Sequence, residues 1–271
     1  MNHIIEKSTM QLGTKFRKKY AVASDIKRAL TGKGFLAGII GMVMIIGLAS
    51  IEDIVGIMRD DGLLPNGYHG QFILKALSSD WMTFVLPILC ALPYTTVFVD
   101  DIKSGYIKQY LHRSGIAPYI KGKLTACALS GGLVLPVGIV LAYGIAMLLF
   151  IPMELALGPG ETAQPYFAQV LMKAALLFFS GAFWSLVGFT LAAVTMNKYM
   201  AYASPFILYY VLIILNERYY PSLYIIYPKE WLFPSDNWVM GSFGVILLLI
   251  ELIAILCLWF TIIAKRRLAN V

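Results

Sequence analysis

Six long apolar runs constrain this chain more than any other feature. A helix needs about 20 apolar residues to cross roughly 30 Å of hydrocarbon. Runs of about this length recur six times, and polar or turn-forming residues separate them. They cover residues 34–51, 81–99, 124–151, 170–196, 199–215 and 239–264. We therefore predict an all-α polytopic membrane protein, with six transmembrane helices in one domain that spans residues 34–264.

Composition and charge placement exclude a soluble nucleic-acid-binding protein. Of the 271 residues, 59% are hydrophobic and only 14% are charged, whereas soluble domains carry about 25% charged residues. The net charge of +7 would suit a nucleic-acid partner. However, the basic residues lie in the gaps between the apolar runs, which is typical of cytoplasmic loops. We therefore predict contact with membrane lipid and none with nucleic acid.

The distribution of lysine and arginine predicts the orientation of the chain. Counted with the N-terminus inside, eight precede the first run, five lie in residues 100–123, one is Lys198 and three follow residue 264. The loops on the other side hold four, and Lys173 lies within the fourth run. Because positive residues concentrate on the cytoplasmic side, we predict a multi-pass protein of the cytoplasmic (plasma) membrane. Its N-terminus and its tail, residues 265–271, are predicted to be cytoplasmic.

An amphipathic pattern precedes the first run, within a predicted cytoplasmic segment of residues 1–33. Residues 15–31 read KFRKKYAVASDIKRALT, and most of the basic residues lie off the apolar face. The apolar positions recur at helical spacing and are Phe16, Tyr20, Ala23, Ile26 and Leu30. A basic amphipathic helix of this kind is expected to lie flat in the headgroup layer. The alternative is a flexible basic leader.

Catalytic motifs are missing from the sequence. The stretch Gly241-Ser242-Phe243-Gly244 does not fit the GxSxG nucleophile elbow. Gly122-Lys123-Leu124 lacks both the upstream glycine and the Ser or Thr of a P-loop, and no HExxH zinc motif occurs. We therefore predict that the chain is not an enzyme and has no catalytic residue, metal ligand or nucleotide site of its own.

One acidic residue, Glu251, lies near the middle of the sixth run. A charged side chain at the centre of a membrane helix costs about 2.5–3.5 kcal/mol on insertion scales. Glu251 is therefore expected to face a cavity or a subunit interface rather than lipid. Two interpretations remain open: a residue of a translocation path, or a structural acid bonded to a neighbouring polar group.

A polar island separates the second run from the third. Residues 100–123 read DDIKSGYIKQYLHRSGIAPYIKGK and include five basic residues. Ile102, Tyr106 and Tyr110 fall on one face of a predicted short helix, and the pair Ser114-Gly115 breaks it. The island could be a solvated connector, or an element that a partner grips.

The order of residues in the island resembles the inner loop of ABC-2-type permeases. That loop carries an acidic residue, a glycine, a basic residue, a leucine-arginine-serine-like stretch, and then tyrosine and lysine entering the third span. The corresponding positions here are Asp101, Gly105, Lys108, Leu111-His112-Arg113-Ser114, Tyr119 and Lys123. The six runs and the basic amphipathic segment agree with the architecture of that family.

This resemblance implies a function and a set of partners. In the family this loop is a cytoplasmic coupling helix that docks on a separate ATP-binding cassette ATPase, which binds ATP and Mg²⁺. Two six-span permeases, identical or different, pair in one ABC exporter. Its cargo could be a peptide, a drug or a lipid-like molecule. The residues implied in coupling are Asp101, Ile102, Gly105, Tyr106, Lys108, Tyr110 and Arg113.

Two other classes of function stay open. An ion-coupled secondary transporter would need ion-coupling acids or broken helices in paired repeats, and the sequence offers one buried acid and no convincing repeat. A non-transporting membrane scaffold or channel subunit is the second alternative. An ATPase encoded in a neighbouring reading frame would favour the exporter over both.

Overall fold

The structure, a computed structural model, describes residues 22–59, 62–156 and 165–269. Within these ranges the chain is helical and forms no β-strand, which confirms the predicted all-α class. The α-helices are α1 Val22–Leu30, α2 Lys33–Ala49, α3 Ile51–Arg59, α4 Tyr68–Leu77, α5 Asp80–Ala91, α6 Val97–Lys103, α7 Tyr106–Ser114, α8 Ile116–Phe150, α9 Tyr166–Thr195, α10 Lys198–Arg218 and α11 Ser242–Ala269. Short 3-10 turns cover Ile151–Met153 and Tyr224–Ile226.

Four of the described helices are long and apolar enough to cross a membrane by themselves. They are α8 with the 3-10 turn that follows it, α9, α10 and α11. Two further pairs meet the same criteria together but are bent, α1–α2 by 43° and α4–α5 by 72°. The described chain therefore has four candidate spans, or up to six if each bent pair is one span.

Local breakers explain where the helices differ from the predicted runs. The second run was predicted to be continuous over residues 81–99, but α5 ends at Ala91 and α6 begins at Val97. Pro93 lies between them and has no backbone N–H to continue the helix. Within the island, Gly115 adopts a φ of +77°, and α8 begins directly after it, eight residues before the predicted start of the third run. Pro118 is tolerated in the first turn of α8, where backbone N–H groups have no partner within the helix.

Part of the predicted interfacial helix lies outside the described residues. That prediction covered residues 15–31, and α1 accounts for Val22–Leu30. Positions 15–21 belong to the part of the chain for which no structure is described.

Helix α9 lies at the centre of the bundle and α11 at its periphery. In the most apolar stretch of α9, 67% of residues are buried, against 17% in α11. Glycines bring α8 close to α9: a β-carbon at position 131 would collide with the side chain of Ser185, and one at position 181 would lie 2.6 Å from the carbonyl oxygen of Gly131. Small residues at such contacts let membrane helices approach closely.

This close approach predicts opposite effects for two glycine substitutions on α8. Gly131→Ala should lower the midpoint of thermal unfolding in detergent, because overpacking a close contact typically costs about 1–3 kcal/mol. Gly144 has no atom within 4 Å of an added β-carbon. Gly144→Ala should therefore leave the midpoint unchanged or raise it, since alanine favours a helix over glycine by up to about 1 kcal/mol. Equal midpoints for the two variants would contradict this packing.

The two ends of the bundle carry different features. We call one the α6–α7 end; there Lys198 at the start of α10 pairs with Asp100, and Arg267 donates to the carbonyl oxygen of Val194 at 2.7 Å. We call the other the α3–α4 end. There Lys173 of α9 donates to the carbonyl oxygen of Leu232 at 3.2 Å and anchors the segment between α10 and α11.

Candidate functional site

A buried lysine lies at the α6–α7 end of the bundle. Lys123 of α8 is only 1% exposed. Its Nζ lies 2.9 Å from Asp25 Oδ1, 2.9 Å from Asp101 Oδ2 and 3.2 Å from the hydroxyl oxygen of Tyr94. A lysine ammonium has three N–H donors; it donates hydrogen bonds to Asp25 and Tyr94, and Asp101 adds a second ion pair.

Two tyrosines and an arginine complete the arrangement around this lysine. The hydroxyl of Tyr94 donates to Asp25 Oδ1 at 3.0 Å, and the hydroxyl of Tyr119 donates to Asp101 Oδ2 at 3.0 Å. Arg28 Nη1 lies 3.9 Å from Asp101 Oδ1, and its side chain is 58% exposed. We call this set the buried charged cluster; its members are Asp25, Arg28, Tyr94, Asp101, Tyr119 and Lys123.

The buried charged cluster joins four parts of the chain. Asp25 and Arg28 come from α1, Tyr94 from the turn after α5, Asp101 from α6, and the remaining two residues from α8. Two carboxylates face two cations, so the cluster has no net formal charge. Because a buried charge without its partner is costly, these segments are expected to hold a fixed position relative to one another. A displacement of α6 would therefore act on α1 and α8 as well.

Glycines shape the backbone around the cluster. A β-carbon at position 122 would lie 2.7 Å from Asp25 Oδ2, so Gly122 permits α1 to approach α8. Gly105 and Gly115 flank α7 and have φ values of +72° and +77°. Glycine adopts this left-handed region without the steric cost that other residues meet. The two glycines therefore let α7 leave the line of α6 and of α8.

Helix α7 presents one exposed tyrosine that is linked to the cluster through ring contacts. The ring of Tyr106, which is 46% exposed, lies 5.7 Å from the ring of Tyr110. The Tyr110 ring meets the ring of Tyr119 edge-on at 5.3 Å, and Tyr119 holds Asp101. Aromatic pairs in such geometries attract each other. A continuous set of contacts therefore runs from the surface of α7 into the buried charged cluster.

The other residues implied in coupling have different surroundings. Asp101 is 3% exposed and points into the cluster rather than toward solvent. Ile102 is half-buried against an apolar core, and Ile107 lies in that core fully buried. Lys108 is exposed. Arg113 belongs to α7 by its backbone, but its side chain lies outside what the structure describes.

An open polar groove lies beside the cluster. It has a volume of about 590 Å³. Basic and acidic side chains of α1, α6 and α10 contribute to its lining, together with the exposed tyrosine of α7. The lining residues are Arg28, Asp100, Asp101, Lys103, Ser104, Tyr106 and Lys198. The groove therefore leaves one side of the cluster and the exposed tyrosine of α7 open to the surroundings.

Glu251 lies apart from this site. It is exposed on the outer face of α11. Its carboxylate makes no hydrogen bond or ion pair within residues 22–59, 62–156 and 165–269. The bonded neighbour that a structural role would require is therefore not supplied by that part of the chain. Those ranges also contain no group of three or more His, Cys, Asp or Glu side chains that could hold a metal ion.

Sequence reasoning found half of the buried charged cluster. Asp101, Tyr119 and Lys123 were positions of the resemblance, and the structure brings these three together. Asp25, Arg28 and Tyr94 were not assigned to a site. One signal was available: Asp25 is the only acidic residue in the basic segment 15–31, and an isolated acid there suggests a partner.

Comparison with known proteins adds no family assignment. No protein-family model and no curated protein matches this chain.

Proposed function

We propose that this chain is the membrane permease subunit of an ABC exporter of the ABC-2 type, with α7 as its coupling helix. A separate ATPase would hydrolyse ATP, and a second permease subunit would complete the pathway for a peptide, a drug or a lipid-like molecule. The observation that supports this most is the series of ring contacts that runs from exposed Tyr106 through Tyr110 and Tyr119 to the buried charged cluster. It offers a docked partner a continuous set of contacts that leads to α1, α6 and α8.

The proposal includes six spans and an interfacial helix. In this arrangement α1 lies in the headgroup layer, and α2 is the first span. The bent pair α4–α5 is the second span, and α8, α9, α10 and α11 are the other four. The charged α6–α7 end then faces the cytoplasm, as expected from the bias of lysine and arginine toward it.

The direct test is reconstitution with the ATPase encoded in the neighbouring reading frame. The two proteins should purify together, and proteoliposomes containing both should move substrate only when ATP is present. Transport driven by an ion gradient without ATP would instead favour a secondary transporter, for which the exposed Glu251 would be the natural coupling acid. No transport under either condition would favour a scaffold or channel subunit.

Two exposed serines test the orientation. Ser104 lies at the α6–α7 end, and Ser222 follows α10 at the α3–α4 end. In intact cells, an impermeant maleimide should label Ser222→Cys but not Ser104→Cys, and disrupting the cells should make both react. Cys90 and Cys127 are buried, and Cys257 can be replaced by alanine to remove background. External labelling of Ser104→Cys alone would reverse the proposed orientation.

Glu251 is proposed to face the second permease subunit. The exposed face of α11 leaves its carboxylate in contact with hydrocarbon unless another chain covers it, and that contact is costly. Glu251→Gln should leave expression and assembly unchanged but reduce transport at least tenfold if the carboxylate serves the pathway. Transport activity per assembled complex is the measurement. Unchanged transport would remove Glu251 from the pathway.

A further inference from the structure

An apolar groove at the α3–α4 end is separate from the buried charged cluster. Its volume is about 340 Å³, and α2, α3, α4 and the end of α8 form its walls. All thirteen lining residues are uncharged, and nearly all are apolar: Val43, Ile46, Gly47, Ile54, Ile57, Met58, Phe72, Ala142, Ile145, Ala146, Leu149, Phe150 and Met153. Pockets that hold small molecules typically measure about 300–1,000 Å³, so the groove has room for one slender apolar chain.

The surroundings of the groove are also apolar. Met44 on α2 is 61% exposed and Leu148 on α8 is 81% exposed, and both belong to helices with the length and composition of membrane spans or of half of a bent span. Water needs two to four polar partners to be held in place, and the lining of this groove offers it none from a charged or polar side chain. In a bilayer, the material that meets this groove is therefore the hydrocarbon of lipid chains.

The amphipathic helix α3 indicates the depth at which the groove is expected to lie in a membrane. Ile54, Ile57 and Met58 occur at the spacing of one helical face and line the groove. Glu52 and Arg59 are exposed on the same helix. A helix of this type lies at the boundary between headgroups and acyl chains, so its apolar face covers a space at acyl-chain depth.

The rim of the groove carries charges of both signs. Asp53 of α3 pairs with Lys75 of α4 at 2.6 Å. A zwitterionic headgroup presents both an ammonium and a phosphate, which complements this pair, whereas a headgroup with only negative charge would meet the Asp53 carboxylate as well as the Lys75 ammonium.

A partly buried carboxylate fixes one wall of the groove. Glu154 follows the 3-10 turn after α8 and accepts hydrogen bonds from the backbone N–H groups of Gly67 and His69, at 3.0 and 2.8 Å. Burial opposes ionisation of Glu154, but the bonds from His69 and Gly67 outweigh it, so its pKa lies below the ordinary value. These bonds hold the start of α4 against the end of α8, where the rings of Phe72 and Phe150 lie 4.9 Å apart. The groove is therefore built into the fold.

We propose that this groove binds one acyl chain of a zwitterionic phospholipid, with the headgroup at the charged rim of α3 and α4. The chain would lie along α2 and α8, beneath the apolar face of α3. This inference requires only that the protein is in a membrane, and it does not depend on the exporter function. Its failure and the failure of the transport proposal are therefore distinguishable.

Two glycines provide a matched pair of variants for the test. Neither Gly47 nor Gly144 has an atom within 4 Å of an added β-carbon, so both positions accept a larger side chain without a clash at that atom. Gly47 lines the groove and Gly144 does not. Gly47→Leu should therefore fill the groove, while Gly144→Leu adds the same apolar volume outside it.

The experiment uses the full chain in vesicles that contain phosphatidylethanolamine with a photoactivatable group on one acyl chain. After illumination, peptides of α2 and the end of α8 should carry most of the cross-link. The yield should fall at least fivefold in Gly47→Leu and stay unchanged in Gly144→Leu. A matched phosphatidylglycerol probe should give a lower yield in the wild-type chain.

Several outcomes would overturn the proposal. Cross-links spread evenly over the apolar surface, or a yield equal in the two variants, would show that the groove holds no lipid chain. Equal yields from the two probes would exclude selection by the charged rim. A cross-link between two copies of the protein at this groove would identify a second copy as its occupant instead.

Discussion

Lys123→Met is expected to destabilise the protein by about 3–5 kcal/mol, which is the usual cost of removing one partner from a buried ion pair. The substitution keeps most of the side-chain volume but leaves Asp25 and Asp101 buried without the ammonium that lies 2.9 Å from each. Arg28, at 3.9 Å from Asp101 and largely exposed, is too far away to replace it fully. Thermal unfolding in detergent, followed by the loss of monodisperse protein, is the measurement.

The matched control is Lys121→Met, two residues earlier in α8. Lys121 is exposed, and the loss of an exposed lysine is expected to change stability by less than about 1 kcal/mol. The triple variant Asp25→Asn, Asp101→Asn and Lys123→Met should recover much of the loss, since neutral replacement of a whole buried ion pair is often tolerated. Equal stability of the two single variants would show that the cluster does not hold these helices together.

Tyr106→Ala together with Tyr110→Ala is expected to uncouple the protein from its ATPase while leaving membrane insertion intact. Aromatic anchors at interfaces commonly contribute about 2 kcal/mol or more each, and 2 kcal/mol corresponds to about a 30-fold loss of affinity. Recovery of the ATPase on the purified permease, and the ATPase activity stimulated by the permease, are the two measurements. Both should fall in the double variant.

The structure separates the contributions of the two tyrosines. Tyr106 is the exposed one, whereas Tyr110 also packs on Tyr119 beside the buried charged cluster. Tyr106→Ala alone should therefore weaken recruitment without a change in thermal stability, and Tyr110→Ala should affect both. Tyr199→Ala is the control, because Tyr199 is 81% exposed at the start of α10, outside α7. Unchanged recruitment in the double variant would indicate that these tyrosines only anchor the loop at the membrane surface.

The helical class and the apolar character of the chain could be predicted from sequence because both depend on local properties. The length of an apolar run and the spacing of its residues are properties of one segment, and a membrane permits few alternatives to a helix. Turn signals were also local: Pro93 and Gly115 lie where α5 has ended and where α8 begins. The sequence does not specify the bend of 72° between α4 and α5, because the angle between neighbouring short helices depends on packing.

The sequence by itself determined the helical class and the polar island between the second and third runs, because helix period, helix breakers and charge placement act over a few residues. Only the tertiary structure decided that Lys123 meets Asp25, which lies 98 residues earlier in the chain. It likewise decided that α2, α3, α4 and α8 enclose an apolar groove. Such contacts depend on the relative placement of whole helices, which is set by the summed packing of many side chains and not by the pattern within any one segment.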